Sequence, residues 1–141
     1  MRWIILAALL ATPALAQPGE RRVYGRDGTL LGTERAGPGG ETRFYDRAGR
    51  LEGSARPGPS GETRFYDRSG TRQGTEQSAP GGSRFLDGSG RLEGSARPGA
   101  PGETRFYDRS GTRLGAERPG PGGETRFYDG SGALQGTARP R

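Results

Sequence analysis

The chain has 141 residues, 28% hydrophobic and 27% charged, with 28 Gly, 11 Pro, no Cys and no His, and a formal net charge of +6 at pH 7. All 22 basic residues are Arg. These absences exclude disulfide scaffolds, Cys/His metal centres and any catalysis that needs imidazole or thiolate.

The first predicted element is a leader. Met1-Arg2 is a short positive start, Trp3 to Leu10 is an apolar run, and Pro13 followed by Ala14-Leu15-Ala16 is a small-x-small cleavage pattern before Gln17. Residues 1–16 therefore read as a secretory signal peptide cleaved after Ala16, which places the mature region, residues 17–141, in the periplasm or outside the cell. The apolar run is shorter than the ~20 residues of a spanning helix, so no membrane span is expected in the mature chain.

Past the leader, large apolar side chains are scarce and Gly and Pro are abundant, a composition that by itself favours disorder. Periodicity argues the other way. Tyr24, Tyr45, Tyr66, Tyr107 and Tyr128, with Leu86 in the fourth place, fall at spacings of 21, 21, 20, 21 and 21, which defines six tandem units. A coarser period overlies this one. Residues 49–74 and 90–115 differ only where Pro59, Ser60 and Gln73 are matched by Ala100, Pro101 and Leu114, so a two-unit block has been duplicated.

Each unit reads as a β-hairpin. In the second, Thr42 to Tyr45 is a β-prone run, Asp46-Arg47-Ala48-Gly49 a turn, Arg50 to Ala55 a return strand, and Pro57-Gly58-Pro59 the link onward. An Asp opening the turn can accept from the backbone N–H two residues on, and a Gly closing it can take positive φ, the chemistry of a type I turn with a G1 bulge. The predicted turn residues are Asp46 with Gly49, Asp67 with Gly70, Asp87 with Gly90, Asp108 with Gly111 and Asp129 with Gly132. The first unit departs, with Gly25 in the Asp place and Asp27 displaced toward Gly28.

With Asp46 opposite Arg50, Tyr45 faces Leu51 and Phe44 faces Glu52, which sorts side chains onto two faces. Val23, Phe44, Phe65, Phe85, Phe106 and Phe127 mark the face expected to be buried. The other carries the tyrosines with an Arg two residues before each, and it sets Arg72 against Tyr66 and Arg113 against Tyr107 for cation–π contact.

The stretch Tyr45-Asp46-Arg47-Ala48-Gly49-Arg50-Leu51 resembles the Y-D-x-x-G-R-L core of YD repeats in RHS and teneurin-type proteins. Only the second unit has the whole motif: Leu86 replaces Tyr in the fourth, and Thr-Arg follows the Gly in the units starting at Tyr66 and Tyr107. The resemblance implies hairpins that build long sheets spiralling into a shell around cargo, for which six units are too few, and it implies carbohydrate binding at the Tyr-Asp pairs. The glycine rhythm is also similar to MORN-variant hairpin repeats, which implies an interaction surface.

The expected fold is thus all-β: tandem hairpins in an open meander or short β-solenoid, with a largely disordered Gly/Pro/Arg-rich tether as the alternative. Candidate ligand-binding residues are Arg43, Tyr45, Arg64, Tyr66, Arg72, Arg105, Tyr107, Arg113, Arg126 and Tyr128, since forked Arg donors and flat Tyr faces suit an anionic glycan or envelope polymer. A competing account is local neutralisation, because Glu41, Glu62, Glu103 and Glu124 each lie two residues before an Arg on the same face. Glycoside hydrolysis needs two carboxylates in different environments, whereas each Asp here has an equivalent turn role. Calcium needs several converging oxygens, whereas Asp87-Gly88-Ser89-Gly90 and Asp129-Gly130-Ser131-Gly132 each offer one carboxylate. No catalytic residue, metal, cofactor or small-molecule substrate is expected. Two open sheet edges would permit self-association.

Overall fold

The computed structural model describes residues 19–141; the leader read at residues 1–16 lies outside them. Twelve strands follow in sequence: β1 (Glu20–Gly25), β2 (Leu30–Ala36), β3 (Thr42–Asp46), β4 (Leu51–Pro57), β5 (Thr63–Asp67), β6 (Arg72–Ala79), β7 (Gly82–Asp87), β8 (Leu92–Pro98), β9 (Thr104–Asp108), β10 (Arg113–Pro119), β11 (Thr125–Asp129) and β12 (Leu134–Pro140). Each pairs antiparallel with its neighbours in sequence, and β1 pairs with β12, from Arg21 opposite Pro140 to Gly25 opposite Gly136. The sheet is therefore a closed barrel.

Closure corrects the expected open meander or solenoid, and ordered strands and turns from Gly19 onward correct the expectation of a low-complexity, disordered tether. No unit encodes closure locally. It arises when the strand number and accumulated tilt bring the last strand beside the first. A closed ring also leaves no unpaired edge, which removes the edge argument for self-association. A spiral shell of the YD-repeat kind is likewise not what these strands build.

The turns have the backbone pattern expected of them. Gly49 N–H donates to the Asp46 carbonyl and Asp46 N–H to the Arg50 carbonyl, and Gly49 sits at φ 80°. Gly70 and Gly111 repeat the arrangement: their N–H groups donate to the carbonyls of Asp67 and Asp108, each at 3.1 Å, with φ at 87° and 89°. Gly90 and Gly132 close the turns begun by Asp87 and Asp129 in the same way. The Asp46 carboxylate accepts from the N–H groups of Ala48 and Arg50 at 2.8 and 2.9 Å. The first unit makes the same backbone pair through Gly25, and Asp27 supplies one carboxylate bond, from Thr29 N–H at 3.0 Å. Asp67 is the more deeply committed: it takes the Ser69 and Thr71 N–H groups, the Ser69 hydroxyl and the Gln73 amide. Asp67→Ala should accordingly lower the melting temperature by a few degrees and Asp27→Ala by less than half as much, read by circular dichroism; equal losses would show that these bonds do not hold the turns.

The register differs from expectation by one residue beyond each turn. Tyr45 does face Leu51, but Phe44 faces Gly53, leaving Glu52 as a bulge. The same shift recurs in the β1–β2, β5–β6, β7–β8, β9–β10 and β11–β12 pairs, so the turns at Gly70 and Gly111 lead into bulged strands as well. A bulge bends its strand and adds twist, which curves a sheet toward closure. The glycine it brings opposite Val23, Phe85, Phe106 or Phe127 is sterically required: a Cβ on Gly32, Gly94, Gly115 or Gly136 would overlap the carbonyl oxygen of Tyr45, Tyr107, Tyr128 or Tyr24.

Strand alternation then divides the side chains. Val23, Phe44, Phe65, Phe85, Phe106 and Phe127 are buried, with Ala55, Ala96 and Ala138 among them. The tyrosines and most arginines lie on the opposite face, over a floor of small residues such as Ser54, Thr75, Ala116 and Thr137, also buried.

Candidate functional site

Two arrays of charged groups emerge, one on each face of the wall. The outer one contains the sequence-predicted residues. Tyr24, Tyr45, Tyr66, Tyr107 and Tyr128 each carry a guanidinium over the ring, from Arg139, Arg35, Arg56, Arg97 and Arg118, at 4.8 to 5.4 Å from the centroid. The stacking residues are therefore not Arg72 and Arg113. Those two lie directly opposite Tyr66 and Tyr107 in the register, while the diagonal arginine of the preceding strand takes the ring, a neighbour distance within reach of long side chains.

Glu41, Glu103 and Glu124 each bind two arginines, and Glu20 binds three, Arg141 being the third. Glu41, immediately before β3, holds Arg43 of β3 and Arg56 of β4, the latter at 2.6 Å. Glu124 holds Arg126 and Arg139 at 2.7 and 2.8 Å, Glu103 holds Arg105 and Arg118, and Glu20 holds Arg22 and Arg35. Glu62 has Arg64 alone, because Gln77 stands where the second arginine would be. Hydrogen bonds from Arg43 and Arg126 hold Glu41 and Glu124 below the usual carboxylate range, and Glu103 is held low by Arg105 and Arg118. This excess of arginine over glutamate leaves the girdle positive, with guanidinium N–H groups beyond those the carboxylates use.

A surface cleft of about 640 Å³ lies between two neighbouring turns and is lined by Asp46, Arg50, Glu52, Asp67 and Gln73. Its Asp46 and Asp67 carboxylates are committed to the turn backbone. Among the described residues no group of acidic side chains has the arrangement of a metal site.

The inner array escaped the sequence reading. Glu34, on β2, is 1% exposed; Glu117, on β10, is 5% exposed; Arg21, on β1, is 8% exposed. Glu76 takes the equivalent place on β6. The three glutamates thus recur at every fourth strand of the ring. Desolvation pushes the Glu34 carboxyl up to about 8 and that of Glu117 likewise to about 8, the latter raised further by Glu76 and Glu34 and lowered by Arg21. Burial also raises Glu76, against a hydrogen bond from Ser83. Arg21 stands 3.8 Å from Glu34, too far for a hydrogen bond, and donates instead to the Thr125 hydroxyl at 2.8 Å. Both Glu34 carboxylate oxygens lack a hydrogen-bond partner, as does Oε2 of Glu117.

A sequence signal for this array exists in the second strand of each unit. Gly32-Thr33-Glu34, Gly74-Thr75-Glu76 and Gly115-Ala116-Glu117 alternate with Gly53-Ser54-Ala55, Gly94-Ser95-Ala96 and Gly136-Thr137-Ala138. Arg21 likewise stands where the other units have Thr or Ser.

The architecture has a counterpart among solved structures. It is similar to the X-ray structure of a protein from Arabidopsis thaliana, AT5G01750, with a TM-score of 0.56 and 11% identity, over 87% of this chain and 82% of that one. At that identity the likeness concerns the fold alone. No family model and no curated protein matches the chain.

Proposed function

We propose that the protein is an exported, noncatalytic interaction module that engages an anionic envelope polysaccharide along its Arg/Tyr girdle. The observation that carries this reading is the girdle's composition: paired arginines at Glu41, Glu103 and Glu124, with more arginines than glutamates around the ring and tyrosines at fixed register. Such an array matches regularly spaced carboxylate or sulfate groups, because a guanidinium that gives Nε to a glutamate keeps its terminal N–H groups for an external anion. Net charge of +6 adds long-range attraction to acidic polymers.

A second reading is favoured by one specific feature. Glu41, Glu103 and Glu124 each join an arginine of the strand they precede to one of the strand after it, so the lattice also stitches adjacent strands. One pair of variants separates the two roles. Changing Arg43, Arg64, Arg105 and Arg126 together to Gln should release the protein from heparin or polygalacturonate at roughly half the salt needed by the native chain. Changing the turn residues Arg26, Arg47, Arg68 and Arg109 to Gln removes the same charge and should shift elution far less. If both variants elute alike, the girdle is no binding strip; a lowered melting temperature with unchanged retention assigns it to stitching.

A further inference from the structure

We infer that a notch beside Gly82 is a binding site for one carboxylate group of an acidic sugar. The inference rests on the polysaccharide reading above and specifies where such a chain is gripped. It comes from the unit in which the lattice has lost its glutamate. There, Gly82 stands where the other units have Glu20, Glu41, Glu62, Glu103 and Glu124. The two arginines that such a glutamate would join remain. Arg84 pairs opposite Ser95 as Arg43 pairs opposite Ser54, and Arg97 pairs opposite Arg105 as Arg56 pairs opposite Arg64. Among the described residues neither Arg84 nor Arg97 meets a carboxylate.

The chain itself shows what belongs between such a pair. In the intact units one carboxylate accepts Nε–H from both arginines, one to each oxygen, as Glu124 does from Arg126 and Arg139. A carboxylate arriving from outside would find the same two donors in the same register. Leu86 stands in the Tyr place of this strand, while Arg97 keeps its stack on the Tyr107 ring, as the second arginine of the intact units does on its own tyrosine. Leu86 pairs directly with Leu92, which is exposed, and the two form an apolar ledge on the Arg84 face that suits the C–H face of a pyranose.

The gap is held open by the backbone. The link is one residue shorter here, so that Ala79 pairs with Gly82 across Pro80-Gly81. Gly81 has φ 76° and Gly82 φ 152°, values that L side chains rarely adopt. A Cβ at Gly82 would overlap the Ala96 carbonyl oxygen, so the unit cannot regain its own acid without moving a strand. What remains is a cavity of about 110 Å³ lined by Pro80, Gly82, Arg84, Ser95 and Arg97.

The test is a titration of the purified, ¹⁵N-labelled protein with D-galacturonate, following the arginine Nε–H resonances, with D-galactose as the neutral counterpart. The expected result is a saturable shift confined to Arg84 and Arg97, absent with galactose. Arg84→Gln and Arg97→Gln should each weaken it tenfold or more, and Arg109→Gln, in an exposed turn, should leave it unchanged. Uniform shifts across all arginines, or Arg84→Gln and Arg97→Gln variants that titrate like the native protein, would overturn the site. The two readings fail separately: the notch falls if monomer binding ignores Arg84 and Arg97, whereas the girdle falls if polymer retention ignores Arg43, Arg64, Arg105 and Arg126.

Discussion

Glu34→Gln should raise the stability of the barrel strongly at pH 8 and change it little near pH 4.5. The direction follows from linkage. The Glu34 carboxyl titrates near 8 in the folded chain, above its ordinary value of 4.5, so the native state holds a proton that the unfolded chain gives up between those limits. Stability is complete below about pH 4.5 and is lost as pH rises through about 8. For one group displaced this far the loss approaches about 5 kcal/mol. Glu117 behaves alike and is coupled to Glu34, so the pair contributes less than twice that amount. The native melting temperature should therefore fall by on the order of 10 °C or more between pH 5 and pH 8.5, and Glu34→Gln/Glu117→Gln should flatten the profile. A native profile already flat over that interval would refute the buried, unpartnered state of these acids. The turn aspartates pull the other way. Hydrogen bonds from the turn hold Asp67 and Asp108 below the ordinary 3.8, so their contribution fades only as pH drops beneath that value. The stability optimum is thus expected on the mildly acidic side of neutrality.

Gly136→Val should open the barrel at its seam. Gly136 lies opposite Gly25 in the β1–β12 pairing and opposite Phe127 in β11–β12, and a Cβ there would overlap the Tyr24 carbonyl oxygen. Backbone cannot yield as a side chain does, so the strands must part or slip, at a cost of about 3 kcal/mol or more. This seam joins the two ends of the described chain, so its opening exposes two strand edges where the native ring has none. Native-state hydrogen exchange should show lost protection in β1 and β12 with retention in β5 and β6, and size-exclusion chromatography should show association through the bared edges. A monomer with protection unchanged in β1 and β12 would show that the seam tolerates the side chain.

The parts of the molecule that a single unit specifies were legible from the residues. The Asp-x-x-Gly turns announce themselves because carboxylate and glycine have local geometric tasks, and Phe44 and Tyr45 sort to opposite faces because strand period is fixed at two. What a unit does not contain was missed. The bulge at Glu93 moves Gly94 opposite Phe85, yet only the closeness of the Tyr107 carbonyl on the neighbouring strand reveals why glycine is needed there. Closure is a property of all twelve strands together. The stacking of Arg56 on Tyr66, instead of Arg72, depends on which unit's strand lies alongside, information held by the pairing between units. Glu34, Glu76 and Glu117 were overlooked for a related reason: an acid in a polar-looking strand reads as solvent-facing until the sheet curls and the inward side loses its water.

The Glu/Ala alternation of the inner wall carries a rule of parity. Walking round the ring, a unit bearing glutamate is always followed by one bearing alanine, and at the join Ala138 of the last unit meets the glutamate-bearing first unit, so the beat survives the return to the start. An even tally of units alone permits that; a ring of five or seven would set like beside like at one place. Growth by copying pairs, the history written in residues 49–74 and 90–115, is thus the mode of expansion that keeps the wall in step with itself.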